Sequence, residues 1–121
     1  MKKILIVDDS AFTRAIHKNI LTAHDFSVIE AGGGGEALEI LKSDSPHAVV
    51  LDLLMEDMDG MDVARKMLAL DPDLVVVICS TDKQKYRQAD AVDIGCRAFL
   101  PKPLNPEQLV ETLNQHLTEP T

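Results

Sequence analysis

Short apolar runs alternate with longer segments whose apolar residues recur at helical spacing, five times along the chain. The runs fall at residues 4–7, 26–29, 48–51, 74–79 and 98–100, and several are rich in valine and isoleucine. Runs without polar alternation suit strands covered on both faces, as in a parallel sheet. Between them, Phe12, Ala15, Ile16 and Ile20 fall on one helical face, as do Ala37, Leu38 and Leu41, and then Ala64, Met67 and Leu68. A last stripe comprises Leu109, Val110, Leu113 and Leu117. It has the plainest start signal: Asn105 to cap, Pro106 at the first helical position, and Glu107 and Gln108 in the first turn. The poorest helix is predicted over residues 83–94, where Asp90 and Asp93 dilute the apolar face, and it is expected to be the most mobile segment.

Five strand–helix units in one small domain predict an α/β sandwich, an open parallel five-stranded sheet covered by helices on both sides. Right-handed crossovers leave few topologies, and the flavodoxin-like, doubly wound order 2-1-3-4-5 is the commonest for five strands. The 121 residues suffice for one domain and not for two ordinary ones. One domain is therefore expected over residues 1–117, with 118–121 a disordered tail or the start of a linker.

Charge narrows the choice of partner. Acidic residues outnumber basic ones 20 to 12, a formal net charge of −8. That argues against nucleic acid or an anionic membrane as the main partner and favours cations or basic faces of other proteins. Cys79 and Cys96 form no CxxC pair, so a reduced, cytoplasmic setting is expected. The apolar run after Lys3 ends at Asp8, too early for a secretory leader, and no stretch is long enough to span a bilayer.

In such a sheet, function collects beyond the carboxyl ends of the strands, at the switch point between strands one and three. There the runs end in Asp8 and Asp9, in Asp52, in Ser80 and Thr81, and in Lys102. Each follows an apolar run directly, so partial burial is expected. Carboxylates this close require a proton or a bound cation, and an all-oxygen set suits Mg²⁺. A divalent ion and Lys102 together neutralise Asp8, Asp9 and Asp52, until a phosphoryl group arrives. Lys102 and the Ser80 hydroxyl could then hold its oxygens while a carboxylate acts as nucleophile.

Other features carry less. His17, His24, His47 and His116 lack metal-ligand spacing and read as surface residues. Glycines 32–35 follow the second run rather than the first, so they do not match a dinucleotide phosphate loop and read as a flexible turn without an assigned role. A phosphohydrolase of haloacid-dehalogenase type needs a DxD-like spacing that Val7-Asp8-Asp9-Ser10 lacks. A flavodoxin-type FMN carrier needs a phosphate loop rich in Ser, Thr and Gly, where this one is acidic.

The ordered set is more specific than any member. Ile4-Leu5-Ile6-Val7-Asp8-Asp9-Ser10, then Asp52-Leu53-Leu54-Met55 with Met58-Asp59-Gly60, then Ser80, Phe99 and Lys102-Pro103 resemble a response-regulator receiver domain of the single-domain chemotaxis type, along essentially the whole chain. The resemblance implies that Asp52 accepts a phosphoryl group from a phosphohistidine on a sensor histidine kinase or phosphotransfer protein. It implies Mg²⁺ held by Asp9, Asp52 and the Leu54 backbone carbonyl, with Asp8 acting through water. Lys102 would pair with the acceptor carboxylate, Ser80 would move to the phosphoryl group, and Phe99 would turn inward behind it. Lys102-Pro103 would be a cis peptide. The product would be a signal to a downstream protein target through the fourth helix, fifth strand and fifth helix, from a monomer or a phosphorylation-dependent dimer with no other enzymatic activity. Glu56 departs from the family's usual proline and Phe99 from the commoner tyrosine. Leu54 should shade the acceptor from water and slow self-dephosphorylation, with Asp82 as the complication.

Overall fold

The computed structural model describes residues 1–81 and 85–117. Strand and helix alternate as β1 (Lys3–Val7), α1 (Ala11–Thr22), β2 (Ser27–Ala31), α2 (Gly34–Ser43), β3 (Ala48–Asp52), α3 (Gly60–Leu70), β4 (Val75–Ser80), α4 (Lys85–Ile94), β5 (Ala98–Pro101) and α5 (Pro106–Leu117). All neighbouring strands pair in parallel, in the order β2-β1-β3-β4-β5. This is the doubly wound flavodoxin-like sandwich that the alternation predicts.

Two apolar residues of the predicted runs lie outside the ladder for a local reason. Phe26 is buried, but its N–H donates to the Leu21 carbonyl at 3.1 Å and closes the end of α1. The Leu74 N–H likewise donates to Asp71 at 3.1 Å. Residues 83 and 84 of the predicted fourth helix, residue 82 before it, and the tail at 118–121 lie outside the described residues.

The two-residue period of a strand divides the core into two layers. Leu5, Val7, Val49, Leu51, Val76 and Ile78 face one side, with Ala37, Met61, Ala64, Met67 and Ala91 from α2, α3 and α4. Ile4, Ile6, Val50, Val77 and Cys79 face the other, with Leu21 from α1 and Leu109 and Leu113 from α5. Each fully buried aliphatic side chain stabilises the fold by roughly 1.5–3 kcal/mol of transfer free energy before entropy is counted. The α5 start is as predicted, with the Asn105 side chain accepting from the Gln108 N–H at 3.0 Å.

Helix α1 departs from expectation. Phe12 is 77% exposed and Ile16 44%, whereas His17 and Leu21 are buried. The helix start sets its rotation: the Ser10 side chain accepts from Thr13 N–H at 3.2 Å, and the Ser10 N–H donates to Asp8 at 2.9 Å. That phase turns Thr13, His17 and Leu21 toward the sheet and leaves the stripe of Phe12 and Ile16 outside. Among the described residues, no helix is long and apolar enough to cross a membrane.

Candidate functional site

Strand register brings the polar strand ends to one edge. Val7 lies opposite Leu51, Asp52 opposite Cys79, and Ser80 opposite Pro101. Because every crossover returns the chain to the same end of the sheet, Asp8, Asp52, Ser80 and Lys102 emerge side by side. Asp8 is 2% exposed, Asp52 6% and Ser80 1%, whereas Asp9 is exposed, against the expectation of burial for all three carboxylates. Asp9 lies one residue further out, beyond the cover of α1 and β3.

One carboxylate oxygen from each of Asp8, Asp9 and Asp52 lies within 4.8 Å of the other two. Lys102 Nζ donates to Asp8 Oδ2 at 2.7 Å and stands 3.3 Å from Asp52 Oδ2. The lysine therefore sits nearer to Asp8 than to the acceptor with which the resemblance pairs it. Its backbone is held by its own N–H, which donates to the Ser80 carbonyl at 3.0 Å. The Lys102–Pro103 peptide is cis.

Electrostatics follow from burial and these contacts. Burial raises the Asp52 carboxyl above its ordinary range, and Lys102 together with the Leu54 N–H only partly opposes it. Burial works against the Lys102 ammonium too, but the Asp8 hydrogen bond and the charges of Asp52 and Asp8 outweigh it and raise its pKa. With three carboxylates facing one ammonium, the cluster is formally short of positive charge. Its donors are all hard oxygens, drawn together around one ammonium, and this set fits Mg²⁺. Cys79, beneath the site, is pushed up to about 12 by burial, so its thiol stays protonated.

The loop from β3 to α3 completes the edge. Leu54 N–H donates to Asp52 Oδ1 at 3.2 Å, its backbone bridges to Asp59, and its side chain is 53% exposed. Gly60 N–H returns to the Leu53 carbonyl at 2.9 Å. A Cβ at Gly60 would lie 2.5 Å from the Asp52 carbonyl, so only glycine lets α3 start this close to β3. Phe99 is half-buried against the layer that contains α3 and α4. Asp82 lies outside the described residues.

Three features near the site were not predicted. His17 is buried rather than on the surface, its pKa lowered by burial and by Lys102 and raised in part by Asp8. Its helical spacing from Thr13 and Leu21 was a visible signal, obscured by the more apolar stripe beside it. Arg14 Nη1 donates to the Asp8 carbonyl at 2.6 Å while its Nε donates to Glu30 at 3.3 Å. Asp59, the N-cap of α3, also receives Arg87 of α4 at 3.1 and 3.3 Å. Nothing local in the sequence marks that pair.

Comparison with known proteins agrees with this geometry. The family model of the response regulator receiver domain matches residues 4–114. The chemotaxis protein CheY of Thermotoga maritima is 36% identical over 115 residues, covering 94% of this chain and 96% of the relative. The response regulator MprA of Mycolicibacterium vanbaalenii is 33% identical over 98% of this chain, which spans 52% of that longer protein. Among solved structures, a CheY-like receiver domain from Methanospirillum hungatei superposes with a TM-score of 0.93 at 26% identity, covering 97% of this chain and 94% of that one. The response regulator TrrA of Thermotoga maritima, solved with Mg²⁺ and BeF, reaches 0.88 at 25% identity over 97% of this chain and all 100% of its own.

Proposed function

This chain belongs to the response-regulator receiver family of two-component signalling, and we propose that its Asp52 accepts a phosphoryl group from the phosphohistidine of a sensor kinase or phosphotransfer protein, with Mg²⁺ bound alongside. The supporting observation is the gathering of Asp8, Asp9 and Asp52 within 4.8 Å beside a lysine that reaches two of them. Asp9, Asp52 and the Leu54 carbonyl hold the ion, and Asp8 reaches it through water. When bound, Mg²⁺ supplies positive charge that neutralises the incoming group. An Asp52 oxygen attacks phosphorus, the P–N bond to the donor imidazole breaks, and the nitrogen keeps the electron pair and takes up a proton. Lys102 turns from the carboxylates to a phosphoryl oxygen. The Leu54 side chain offers no donor or acceptor to hold an attacking water, so it prolongs the phosphoprotein.

The output is conformational. The Ser80 hydroxyl moves to the phosphoryl group, Phe99 turns inward, and the α4–β5–α5 surface shifts toward a downstream protein target. The chain works in the cytoplasm as a signalling phosphoacceptor, without direct contact with nucleic acid, as a monomer or a dimer formed on phosphorylation.

Intact-mass measurement after incubation with acetyl phosphate tests the acceptor. One added phosphoryl group is expected with Mg²⁺, and none with EDTA or in Asp52→Asn. Undiminished yield in either control rejects the assignment. NMR with BeF₃⁻ and Mg²⁺ tests the output: amide shifts should reach α4 and Phe99, and shifts confined to the loops around Asp9 and Asp52 would count against it.

A further inference from the structure

Part of the glycine run at 32–35 is explained by a residue more than twenty positions away. Helix α2 begins at Gly34 after Gly33, which has no side chain with which to cap the first turn. The cap comes from the β3–α3 loop. Asp57 Oδ1 accepts from the Gly34 N–H and Oδ2 from the Gly35 N–H, each at 3.2 Å. A carboxylate there faces the positive end of the helix dipole, and the two backbone donors hold its carboxyl below the usual range. A Cβ on Gly33 would come within 2.8 Å of Asp57 Oδ2, and one on Gly34 within 2.5 Å of Val63 Cγ2. Gly33 and Gly34 leave the space that the carboxylate and Val63 of α3 occupy.

The other attachments of this loop lead to the candidate site. Leu54 N–H bonds to the Asp52 carboxylate, and Glu56 N–H donates to Asp9 Oδ2 at 3.1 Å. Proline at position 56 could not make that bond, since it has no N–H, but it would fix φ. Here the loop lacks that stiffening and is tied instead by carboxylates on both sides, Asp9 from the β1–α1 loop and its own Asp57 on α2.

We propose that Asp57 is a positioning residue for phosphoryl transfer, clamping the β3–α3 loop to the start of α2 so that the Leu54 carbonyl and the Glu56 N–H stay in place beside Asp9 and Asp52. It rests on the reading of this edge as a Mg²⁺-dependent phosphoacceptor site. Asp57 touches neither the acceptor nor the expected ligands, so its action passes through the loop backbone.

The test compares wild type, Asp57→Ala and Asp57→Asn by amide hydrogen exchange without metal and by the Mg²⁺ concentration that half-saturates the NMR shifts. In Asp57→Ala, exchange should quicken at Glu56 as well as at Gly34 and Gly35. The Mg²⁺ midpoint should rise roughly fivefold, the scale of one ordinary hydrogen bond's net contribution. Asn keeps one acceptor oxygen and should fall between. If Asp57→Ala quickens only Gly34 and Gly35 and leaves Glu56 and the Mg²⁺ midpoint unchanged, Asp57 merely caps α2 and the proposal is overturned. Phosphorylation of Asp52→Asn would sink the acceptor assignment instead, while metal-free exchange at Glu56 still judges the clamp.

Discussion

Helices α3 and α4 flank the same face of the sheet and are attached to it in opposite ways. Helix α3 buries Gly60, Met61, Val63, Ala64, Met67 and Leu68. Among the described side chains of α4, at residues 87–94, Ala91 is buried, Ile94 is half-buried and Val92 is 70% exposed. Where α3 has an apolar stripe, α4 has a polar tether, the guanidinium of Arg87 on the Asp59 carboxylate. Apolar burial is non-directional and fails only when the helix leaves the core. A single ion pair can be exchanged for another or for water at small cost. The contrast shows how a fold can set the loop after Asp52 on an apolar base, α3, while the described side chains of α4 bury far less.

The sharpest way to break this comparison is to truncate each helix. Met67→Ala should lose about 2–5 kcal/mol of unfolding free energy, the range for a fully buried side chain of this size, whereas Val92→Ala should change it by less than about 0.5 kcal/mol. Urea denaturation measures both, and equal losses would erase the distinction.

Next in size is the junction. Asp59→Ala removes both the α3 cap, which accepts from Met61 N–H at 2.8 Å, and the partner of Arg87. A loss of about 1–2 kcal/mol is expected, against under about 1 kcal/mol for Arg87→Ala. Hydrogen exchange should quicken across α4 in both variants, but within the first turn of α3 in Asp59→Ala alone.

A gain in stability is expected at the foot of α3. The raised Asp52 pKa means that its ionised form is less favourable in the folded chain than in the unfolded one. Stability therefore falls as pH rises through the ordinary carboxylate range to the raised folded value. Asp52→Asn, which keeps the shape without the charge, should be more stable than wild type at neutral pH, and the gain should vanish below the unfolded carboxylate pKa of about 3.9. A neutral-pH loss would mean that the Lys102 pairing outweighs burial.

The smallest effect has the opposite sign. Asp57 has a depressed pKa, so its contribution is complete above the unfolded value of about 3.9 and is lost as pH falls through the lower folded value. The stability difference between wild type and Asp57→Asn should be constant from pH 7 to pH 5 and shrink below pH 4, on the same pKa scale. Gly34 and Gly35 amide exchange should follow the Asp57 titration.

Position along the chain settles the architecture and which polar residues collect at one edge of the sheet. Uninterrupted apolar runs mark strands buried on both faces, and parallel crossovers carry the polar residue after each run to the same edge. Asp8, Asp9, Asp52, Ser80 and Lys102 were therefore legible from position alone. The tertiary structure decided which of them touch. Lys102 lies 94 residues from Asp8, and its closer approach to Asp8 than to Asp52 is a difference of 0.6 Å between 2.7 and 3.3 Å, while the Ser10 side chain caps α1 nearby. The same cap turned α1, burying His17 and exposing Phe12, although counting apolar residues favours the reverse. Asp57 on α2 and Arg87 on Asp59 join segments 22 to 28 residues apart. Periodicity reports which face of an element is apolar. It has no access to the partner of a carboxylate, because that choice depends on short-range geometry between segments that meet only after the chain has folded.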